Sequence, residues 1–408
     1  MCGITGIWEF EGKLDKKLLR KMSNVISHRG PDDEGFYTNG SIGLANRRLS
    51  IIDLTTGKQP IHNEDETVWI VFNGEIYNFQ ELREDLEKKG HRFYTNTDTE
   101  IIIHLYEDKG FESVKYLNGM FAFAIYDEKK KLLFLARDRI GIKPINYYID
   151  ENKFLFSSEI KSILENKTIK RSVNKTALNQ YMAFEYVPTP LTMFENIYKL
   201  PPACFMVIKD KKLAVTQYWD LRFNPANKDE SYFEKKLVEV LKKSVNQQLV
   251  ADVPLGAFLS GGVDSSSVVA MMSQLVEEPV KTFTINFEEP GYGEGKYAQK
   301  VADLFGTDHH EETLSQNDII KLIEKKEVFT DEPFTDPSIF PTYLVSKLAR
   351  KNVTVSLSGD GGDELFAGYD WHLAEKLYPI YRAIPGKRLI APLISFMPLQ
   401  KQKKRPYQ

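Results

Sequence analysis

The pattern of hydrophobic residues differs between the two halves of this chain of 408 residues. In the first half, strand-like runs such as Thr67–Phe72 and Gly119–Asp127 follow one another, and only two helical stretches, 14–26 and 79–89, stand out. Such a pattern favours an α+β domain of stacked antiparallel sheets with helices outside. From residue 255 to 357, strands and helices alternate instead, which predicts an α/β domain on a mostly parallel sheet.

Several prolines lie where the first hydrophobic pattern gives way to the second. Four of them lie within sixteen residues: Pro188, Pro190, Pro201 and Pro202. That spacing is typical of a stiff connector between domains. We therefore predict a first domain over 2–186, a connector over 187–202 and a second domain over 203–408.

Composition and charge exclude several classes of function. The net charge is −3, with basic and acidic residues mixed along the chain, so we expect no nucleic-acid partner. The most apolar late stretch, 389–399, is short and holds two prolines, so we expect no membrane span. Two cysteines, Cys2 and Cys204, cannot build a disulfide framework, which favours a reducing, cytoplasmic location. No signal peptide is evident in the first ten residues.

Cys2 is the first residue with chemical promise, because it directly follows Met1. Aminopeptidases generally remove the initiator methionine before a small side chain, which would leave Cys2 with a free α-amino group of pKa near ~8. One residue would then supply both a nucleophile and its general base. The alternative is a chance cysteine, which is rare at this position in a chain with two cysteines, although a single residue proves little.

Five motifs in the first half decide between these readings. In order they are Met1-Cys2-Gly3-Ile4, His28-Arg29-Gly30-Pro31-Asp32, Arg48-Leu49-Ser50-Ile51, Asn73-Gly74-Glu75-Ile76-Tyr77-Asn78 and Thr97-Asp98-Thr99-Glu100. Together they resemble the class II glutamine amidotransferases, in which an N-terminal cysteine hydrolyses glutamine. The resemblance covers the whole first domain and implies a fold of the N-terminal-nucleophile type.

The resemblance also implies a role for each motif. Asn73 and Gly74 would supply a side-chain amide and a backbone N–H to the oxyanion, from a turn that ends the strand 67–72. Arg48 would bind the α-carboxylate of glutamine as a bidentate partner. The full set of implied glutamine contacts is Arg48, Leu49, Ser50, Ile51, Ile52, Asn73, Gly74, Glu75 and Asp98, the last two carboxylates holding the ammonium. Arg29 and Asp32 are expected to be scaffold.

A small-residue loop, Ser260-Gly261-Gly262-Val263-Asp264-Ser265-Ser266, follows an apolar strand and opens a helix. Small side chains let backbone N–H groups approach an anion, and the helix N-terminus adds a favourable dipole. The loop lacks the lysine of a Walker A motif, which disfavours γ-phosphoryl transfer by a P-loop fold. It resembles the pyrophosphate loop of the ATP pyrophosphatases, which cleave ATP between the α and β phosphates and adenylate a substrate.

A second loop, Ser358–Tyr369, follows the strand 353–357 and resembles the asparagine synthetase signature. The resemblance implies that Asp264 and Asp363 hold Mg²⁺, which prefers carboxylate oxygens. It implies that Asp360, where many relatives carry glutamate, serves the acyl-adenylate step as a catalytic residue. The implied ATP contacts are Leu259, Ser260, Gly261, Gly262, Asp264, Ser265, Ser266, Ile285, Ser358 and Gly359.

Two other patterns carry no site. His309 and His310 are adjacent, and neighbouring strand residues point to opposite faces, so we expect no shared transition metal there. The segment Gly291–Gly295 does not fit the dinucleotide-binding fingerprint. It also departs from the Tyr-Asp-Glu that many relatives have.

The order of these segments, with 136–144 and 157–161 closing the first domain, resembles glutamine-hydrolysing asparagine synthetases. The implied reaction joins glutamine, aspartate, ATP and water to give asparagine, glutamate, AMP and pyrophosphate, with ammonia passing through a sheltered route. Two alternatives stay open, another carboxylate acceptor or a chain with glutaminase or glutamine-sensing activity only. The chain ends soon after Gly368, so we expect a synthetase domain that is incomplete at its C-terminus. A homodimer is left open.

Overall fold

The computed structural model describes residues 1–288, 293–324 and 330–385. These residues form two compact units. The first holds Met1–Glu234, Gln247–Val253 and the described part of Glu327–Pro337, and the second holds the other described residues. The basic run 401–405 and residues 291–292 of the glycine-rich segment lie outside the described residues.

Twelve strands make two six-stranded antiparallel sheets in the described part of the first unit. They are β1 Gly3–Glu9, β2 Asp33–Asn39, β3 Ile42–Arg48, β4 Ile61–His62, β5 Val68–Ile76, β6 Gly119–Asp127, β7 Leu132–Arg137, β8 Asn146–Ile149, β9 Lys153–Ser157, β10 Ile197–Lys199, β11 Cys204–Lys209 and β12 Lys212–Gln217. One sheet has the order β10-β8-β9-β1-β3-β2 and the other β12-β11-β7-β6-β5-β4. The helices of this unit are α1 Lys16–Asn24, α2 Phe79–Lys88, α3 Asp98–Lys109, α4 Ile160–Ile163 and α5 Lys175–Phe184.

The strand β6 shows why the two sheets stack. Its phenylalanines Phe121 and Phe123 face a core that includes α2 and α3, whereas the alternate residues Ala122 and Ala124 face a core shared with the other sheet. Side chains alternate across a strand, so a strand that is apolar on both faces is buried between two layers. The helix α1 covers the outer face of the first sheet. The layers are therefore helix, sheet, sheet and helix, which confirms the predicted α+β class.

Two expectations for the first half differ from the structure. The predicted turn at Asn73 and Gly74 is wrong, because β5 continues to Ile76 and stays paired with β6 throughout. The strands β10 to β12 lie within the predicted connector and the start of the predicted second domain, yet they hydrogen-bond into the two sheets of the first unit. Backbone pairing, which proline spacing cannot reveal, carries the sheets on to Gln217.

The second unit contains a parallel sheet, as predicted. Its strands β13 Leu255–Phe258, β14 Lys281–Phe287, β15 Asp308–Leu314 and β16 Val355–Leu357 take the order β15-β14-β13-β16 among the described residues. The remaining helices are α6 Glu230–Gln248, α7 Val263–Ser273, α8 Gly295–Phe305, α9 Gln316–Glu324, α10 Ile339–Ala349, α11 Gly362–Phe366 and α12 Asp370–Ala383. Across the described ranges, no helix is both long and apolar enough to cross a bilayer.

Candidate active sites

Cys2 lies directly before β1 and is half-buried. The antiparallel pairing of β1 with β3 sets Gly3 opposite Arg47, which brings the cysteine beside the residues that follow β3. Its Sγ accepts the backbone N–H of Leu49 at 3.4 Å. Burial raises the pKa of the thiol, and the charge of Glu75 also raises it, whereas the Leu49 hydrogen bond and the charge of Arg48 lower it.

Arg29 and Asp32 hold the backbone around Cys2. The Nε of Arg29 donates to the carbonyl of Cys2 at 2.9 Å, and its Nη1 donates to Glu159 at 2.9 Å. The carboxylate of Asp32 accepts the backbone N–H of Ser50 at 2.9 Å, which braces the loop after β3. These contacts are what a scaffold provides.

Asn73 offers a buried donor that the described protein does not use. Its Nδ2 is inaccessible and has no hydrogen-bond partner among the described residues. Leaving a buried amide N–H unpaired costs about 1–3 kcal/mol, so an oxygen that reached this donor would be strongly favoured. Gly74 follows, and a Cβ there would lie 2.2 Å from the carbonyl oxygen of Met120. Only glycine lets β5 approach β6 this closely.

Arg48 is buried, and its Nη2 is anchored by its own loop. That nitrogen donates to the carbonyls of Ile52 at 3.0 Å and Asp53 at 2.7 Å. A Cβ on Gly57 would lie 2.3 Å from the same nitrogen, so glycine makes room for the guanidinium. Ser50 and Ile51 are partly buried in the same loop, and the carbonyl of Ile51 accepts the N–H of Asp252 at 2.9 Å. A guanidinium is planar and carries five N–H donors. Fixing Nη2 therefore also fixes the direction of the other N–H donors.

Two carboxyl groups meet near this loop. Asp98 opens α3 and accepts the backbone N–H of Ile76 at 2.8 Å. Burial raises its pKa to about 6. Burial and the neighbouring charge of Asp98 raise the pKa of Glu75 well above its usual value, while Lys143 opposes that rise. Strongly shifted pKa values are frequent at functional sites, and an entering cation would favour the ionised form of both carboxyl groups.

Lys143 is a further charged residue at this site, in addition to those predicted from the sequence, because its charge interacts with those of Glu75 and Cys2. Its side chain is buried, and burial lowers its pKa. The carboxylate of Asp138 accepts the backbone N–H groups of Ile142 and Lys143, both at 2.9 Å, which folds the loop around it. The available signal was the Gly141-Ile142-Lys143-Pro144 sequence, where a lysine stands among apolar and turn residues.

In the second unit, the two glycine-rich loops follow neighbouring strands. The strand β13 ends just before Ser260 and β16 just before Ser358, and the two strands are parallel partners. The chain leaves β13 for β14 on one side, while β16 lies on the other side. In open parallel sheets, ligands bind at the carboxyl ends of the strands where the order reverses in this way.

The first loop is held by its own hydroxyls. The Oγ atoms of Ser260 and Ser265 are 2.9 Å apart, and Gly262 N–H donates to the Oγ of Ser260 at 3.2 Å. Gly261 has a φ of +79°, which favours glycine. The helix α7 then starts at Val263 without a side-chain cap, so its first N–H groups are available to an anion.

Asp264 lies against the second loop. A Cβ on Gly362 would be 2.4 Å from the Cγ of Asp264, and one on Gly359 would be 2.7 Å from the Ser265 nitrogen. Both glycines therefore let the two loops touch. Asp363, the next residue after Gly362, is exposed, and the carboxylate of Asp360 accepts the Ser358 hydroxyl at 2.9 Å.

The other predicted ATP contacts lie nearby in the sheet. Leu259 is buried and donates its N–H to the carbonyl of Phe283 at 2.9 Å, and Ile285 is partly buried on β14. The Oγ of Ser266 is inaccessible and has no partner among the described residues. The adjacent histidines His309 and His310 contact different partners. The Nδ1 of His309 lies 2.9 Å from the hydroxyl of Thr282, while the ring of His310 stacks on Phe283.

Comparison with known proteins covers both units. A family model described as a glutamine amidotransferase domain matches residues 1–219, and one described as asparagine synthase matches residues 236–407. A chain from Methanocaldococcus jannaschii, described as a candidate asparagine synthetase (glutamine-hydrolysing) 2, is 44% identical over 94% of this chain. This chain belongs to the glutamine-hydrolysing asparagine synthetase family.

The share of each relative's length that this chain spans differs from one relative to the next. The chain spans 79% of the Methanocaldococcus relative but 64% of asparagine synthetase (glutamine-hydrolysing) 1 of Bacillus subtilis, to which it is 37% identical over 98% of its own length. It is also 32% identical over 88% of its length to a Gibberella zeae protein named Amidase chry2, of which it spans 56%. The chain thus matches only part of most of these relatives.

Proposed function

We propose that this chain hydrolyses glutamine at Cys2 and passes the ammonia to an aspartate that its second unit has adenylated with ATP. The observation that best supports glutamine hydrolysis is the position of the Cys2 sulfur. It is held by the Leu49 N–H and lies close enough to Arg48 and Glu75 for their charges to act on its pKa. The adenylation of aspartate is supported by family membership and by the two glycine-rich loops, which follow β13 and β16 where the strand order of the parallel sheet reverses.

Hydrolysis needs a base for the thiol. Burial lowers the pKa of the α-amino group of Met1 to about 6, while the charge of Cys2 opposes that shift and the charges of Arg29 and Lys143 assist it. Once Met1 is removed, the amino group of Cys2 would lie in the same surroundings. An amine with a pKa below 7 is mostly neutral at neutral pH and can accept the thiol proton. The thiolate then attacks the amide carbon, and the amino group returns the proton to the leaving ammonia. Water hydrolyses the resulting thioester, which releases glutamate and restores the thiol.

The remaining residues bind the substrate. The fork of Arg48 suits the α-carboxylate, and the Asp98 and Glu75 carboxyls suit the α-ammonium, whose charge would lower their raised pKa values on binding. The unpaired Nδ2 of Asn73 and the Gly74 N–H would take the developing oxyanion.

ATP would bind with its phosphates at the Ser260–Ser266 loop and the N-terminus of α7. Asp264 and Asp363 offer the hard oxygen ligands that Mg²⁺ prefers. Asp264 lies against Gly362, and Asp363 directly follows this glycine in the sequence. When bound, Mg²⁺ would offset phosphate charge. Asp360 stays the residue we predict for the acyl-adenylate step.

Replacing the nucleophile separates the two half-reactions. We expect Cys2→Ala to abolish glutamine hydrolysis while ATP–pyrophosphate exchange with aspartate, and synthesis from free ammonia, continue. Production of glutamate from glutamine and of AMP from ATP would be measured on the same preparations. Glutamine hydrolysis at the wild-type rate in this variant would rule out Cys2 as the nucleophile.

A second candidate acceptor is favoured by one observation, the match to a relative named as an amidase rather than as a synthetase. ATP–pyrophosphate exchange with a panel of carboxylates distinguishes the two. We expect aspartate to support the fastest exchange, and a faster rate with another carboxylate would reassign the acceptor. The cytoplasmic location remains a prediction from cysteine usage.

A further inference from the structure

Four side chains from three separate segments converge beside α3 in the first unit. Glu64 lies between β4 and β5, His91 follows α2, and His104 and Glu107 share one face of α3. One nitrogen or oxygen atom from each lies within 4.8 Å of those from the others. His104 is fully buried and Glu64 is partly exposed, so the group extends from the interior to the surface.

The same ring atom of each histidine faces the glutamates. The Nδ1 of His104 is 3.1 Å from Glu107 and 3.6 Å from Glu64. The Nδ1 of His91 is 3.5 Å from Glu64 and 3.8 Å from Glu107. Ligands bound at about 2.0–2.2 Å around a tetrahedral zinc ion lie roughly 3.3–3.6 Å from one another. Two of these four distances fall in that range, one is shorter and one is longer, and the two contacts to Glu64 use different carboxylate oxygens. Small side-chain movements would therefore bring the four groups to the edges of such a tetrahedron.

The opposite ring atoms are backed by further carboxylates. The Nε2 of His91 lies 3.1 Å from Asp108, and the Nε2 of His104 lies 3.5 Å from Glu100. Histidines that bind a metal through one nitrogen usually direct the other N–H to a carboxylate or carbonyl, which fixes the tautomer. His91 has that hydrogen bond to Asp108, whereas the Nε2 of His104 lies near Glu100 without a hydrogen-bond partner among the described residues. In both rings Nδ1 is the atom that faces the glutamates.

The glutamates are also oriented. The Oε1 of Glu107 accepts the side-chain N–H of Asn63 at 2.7 Å, which leaves Oε2 facing the imidazoles. The Oε1 of Glu64 accepts the backbone N–H of Arg92 at 3.0 Å. Two carboxylates and two neutral imidazoles would balance the charge of one divalent cation.

We propose that Glu64, His91, His104 and Glu107 form a binding site for a divalent transition metal of the zinc class. With four protein ligands, the site would have no open position for a substrate, so its role is structural. It would join the turn before β5, the segment after α2 and the helix α3. Because α3 begins at Asp98, the bound metal would steady the helix that presents this carboxylate.

Zinc uptake by the full chain tests the proposal. The chain would carry no histidine tag and would contain Cys2→Ala, so that neither a tag nor the half-buried thiol of Cys2 binds the ion. Equilibrium dialysis with elemental analysis should find one equivalent of Zn²⁺. We expect His91→Ala and Glu64→Gln each to weaken binding at least tenfold, whereas the matched control Asp85→Asn, an exposed carboxylate on α2, leaves it unchanged.

A second measurement guards against misfolding and against binding elsewhere. Co²⁺ in a tetrahedral nitrogen and oxygen site gives a strong visible absorption, whereas octahedral Co²⁺ absorbs only weakly. Glu64→Gln should remove the strong absorption while far-ultraviolet circular dichroism stays the same. His310→Gln in the second unit should keep it. Absence of zinc uptake, or uptake that the Glu64 and His91 variants do not alter, would show that the cluster is only a hydrogen-bonded ion network.

Discussion

At the scale of single residues, the raised pKa values of Glu75 and Asp98 make the first unit sensitive to pH. Both shifts have burial as their main cause. A carboxyl whose folded pKa exceeds its unfolded value binds protons more readily in the folded state. Its ionisation therefore destabilises the ligand-free fold as pH rises through the folded pKa, and an ammonium ion at the site relieves this penalty.

Glutamine affinity should consequently depend on pH. Asp98, with a pKa of about 6, is neutral below that pH and cannot pair with the substrate ammonium. We expect the dissociation constant for glutamine of the Cys2→Ala chain to rise steadily as pH falls through this value. Calorimetric titration across the range measures it, and an affinity that is constant on both sides of the pKa would contradict the assignment of Asp98.

Asn73 provides a test of the oxyanion donor that does not depend on stability. Its Nδ2 has no partner among the described residues, so Asn73→Ala removes an unpaired donor and should barely change the free energy of unfolding. The kcat for glutamine hydrolysis should fall about 100- to 1,000-fold.

Asn46 is the matched control for this variant, since its buried Nδ2 donates to the carbonyl of Phe72 at 3.1 Å. Asn46→Ala should lower the free energy of unfolding by about 1–3 kcal/mol because it leaves that carbonyl unpaired. Urea titration and a glutamate assay on both variants make the comparison. A loss of stability in Asn73→Ala without a loss of kcat would reverse the roles given to the two residues.

At the scale of elements, glycines decide how closely neighbouring segments approach. The Asn73-Gly74 pair is a common turn signal, yet here the glycine admits the carbonyl of Met120 inside a continuous strand pair. The family resemblance predicts both residues as oxyanion donors, but local sequence could not distinguish a turn from a close strand contact. The partner strand that decides the matter lies more than forty residues away.

Gly362 makes a corresponding contact in the second unit. Gly362→Ala would place a methyl group 2.4 Å from the carboxylate carbon of Asp264, so one of the two loops must move. We expect ATP–pyrophosphate exchange to fall at least tenfold. Glutamine hydrolysis, assigned to the first unit, serves as the internal control, and unchanged exchange would show that loop contact is not needed for ATP use.

At the scale of the whole molecule, the first unit includes segments that are distant in sequence. The carboxylate of Asp252 accepts the backbone N–H of Asp53 at 2.7 Å. Glu332 lies 2.6 Å from the Nζ of Lys199 and accepts the N–H of Met193. Alternating hydrophobic patterns predicted both sheets and both classes of fold. They could not predict that residues 252 and 332 belong to the first unit, because these contacts join residues more than 130 positions apart.

Glu332 should therefore contribute to the stability of the first unit. Its ion pair is largely shielded from solvent, so Glu332→Ala leaves Lys199 and the Met193 N–H without this carboxylate and should lower the free energy of unfolding by about 1–3 kcal/mol. Glu112→Ala, which breaks an exposed pair with Lys115, is the control and should change it by less than about 1 kcal/mol. Equal effects in urea titrations would mean that the 330–337 segment contributes little.

Labelling with an electrophilic glutamine analogue, followed by peptide mass spectrometry, tests the central claim most directly. The chain contains a matched internal control, because the other thiol, Cys204, is buried in β11. We predict one adduct, on an amino-terminal peptide that begins at Cys2 and lacks Met1, with Cys204 unmodified. An amino-terminal peptide that keeps Met1, or an adduct on Cys204 in place of Cys2, would contradict the account.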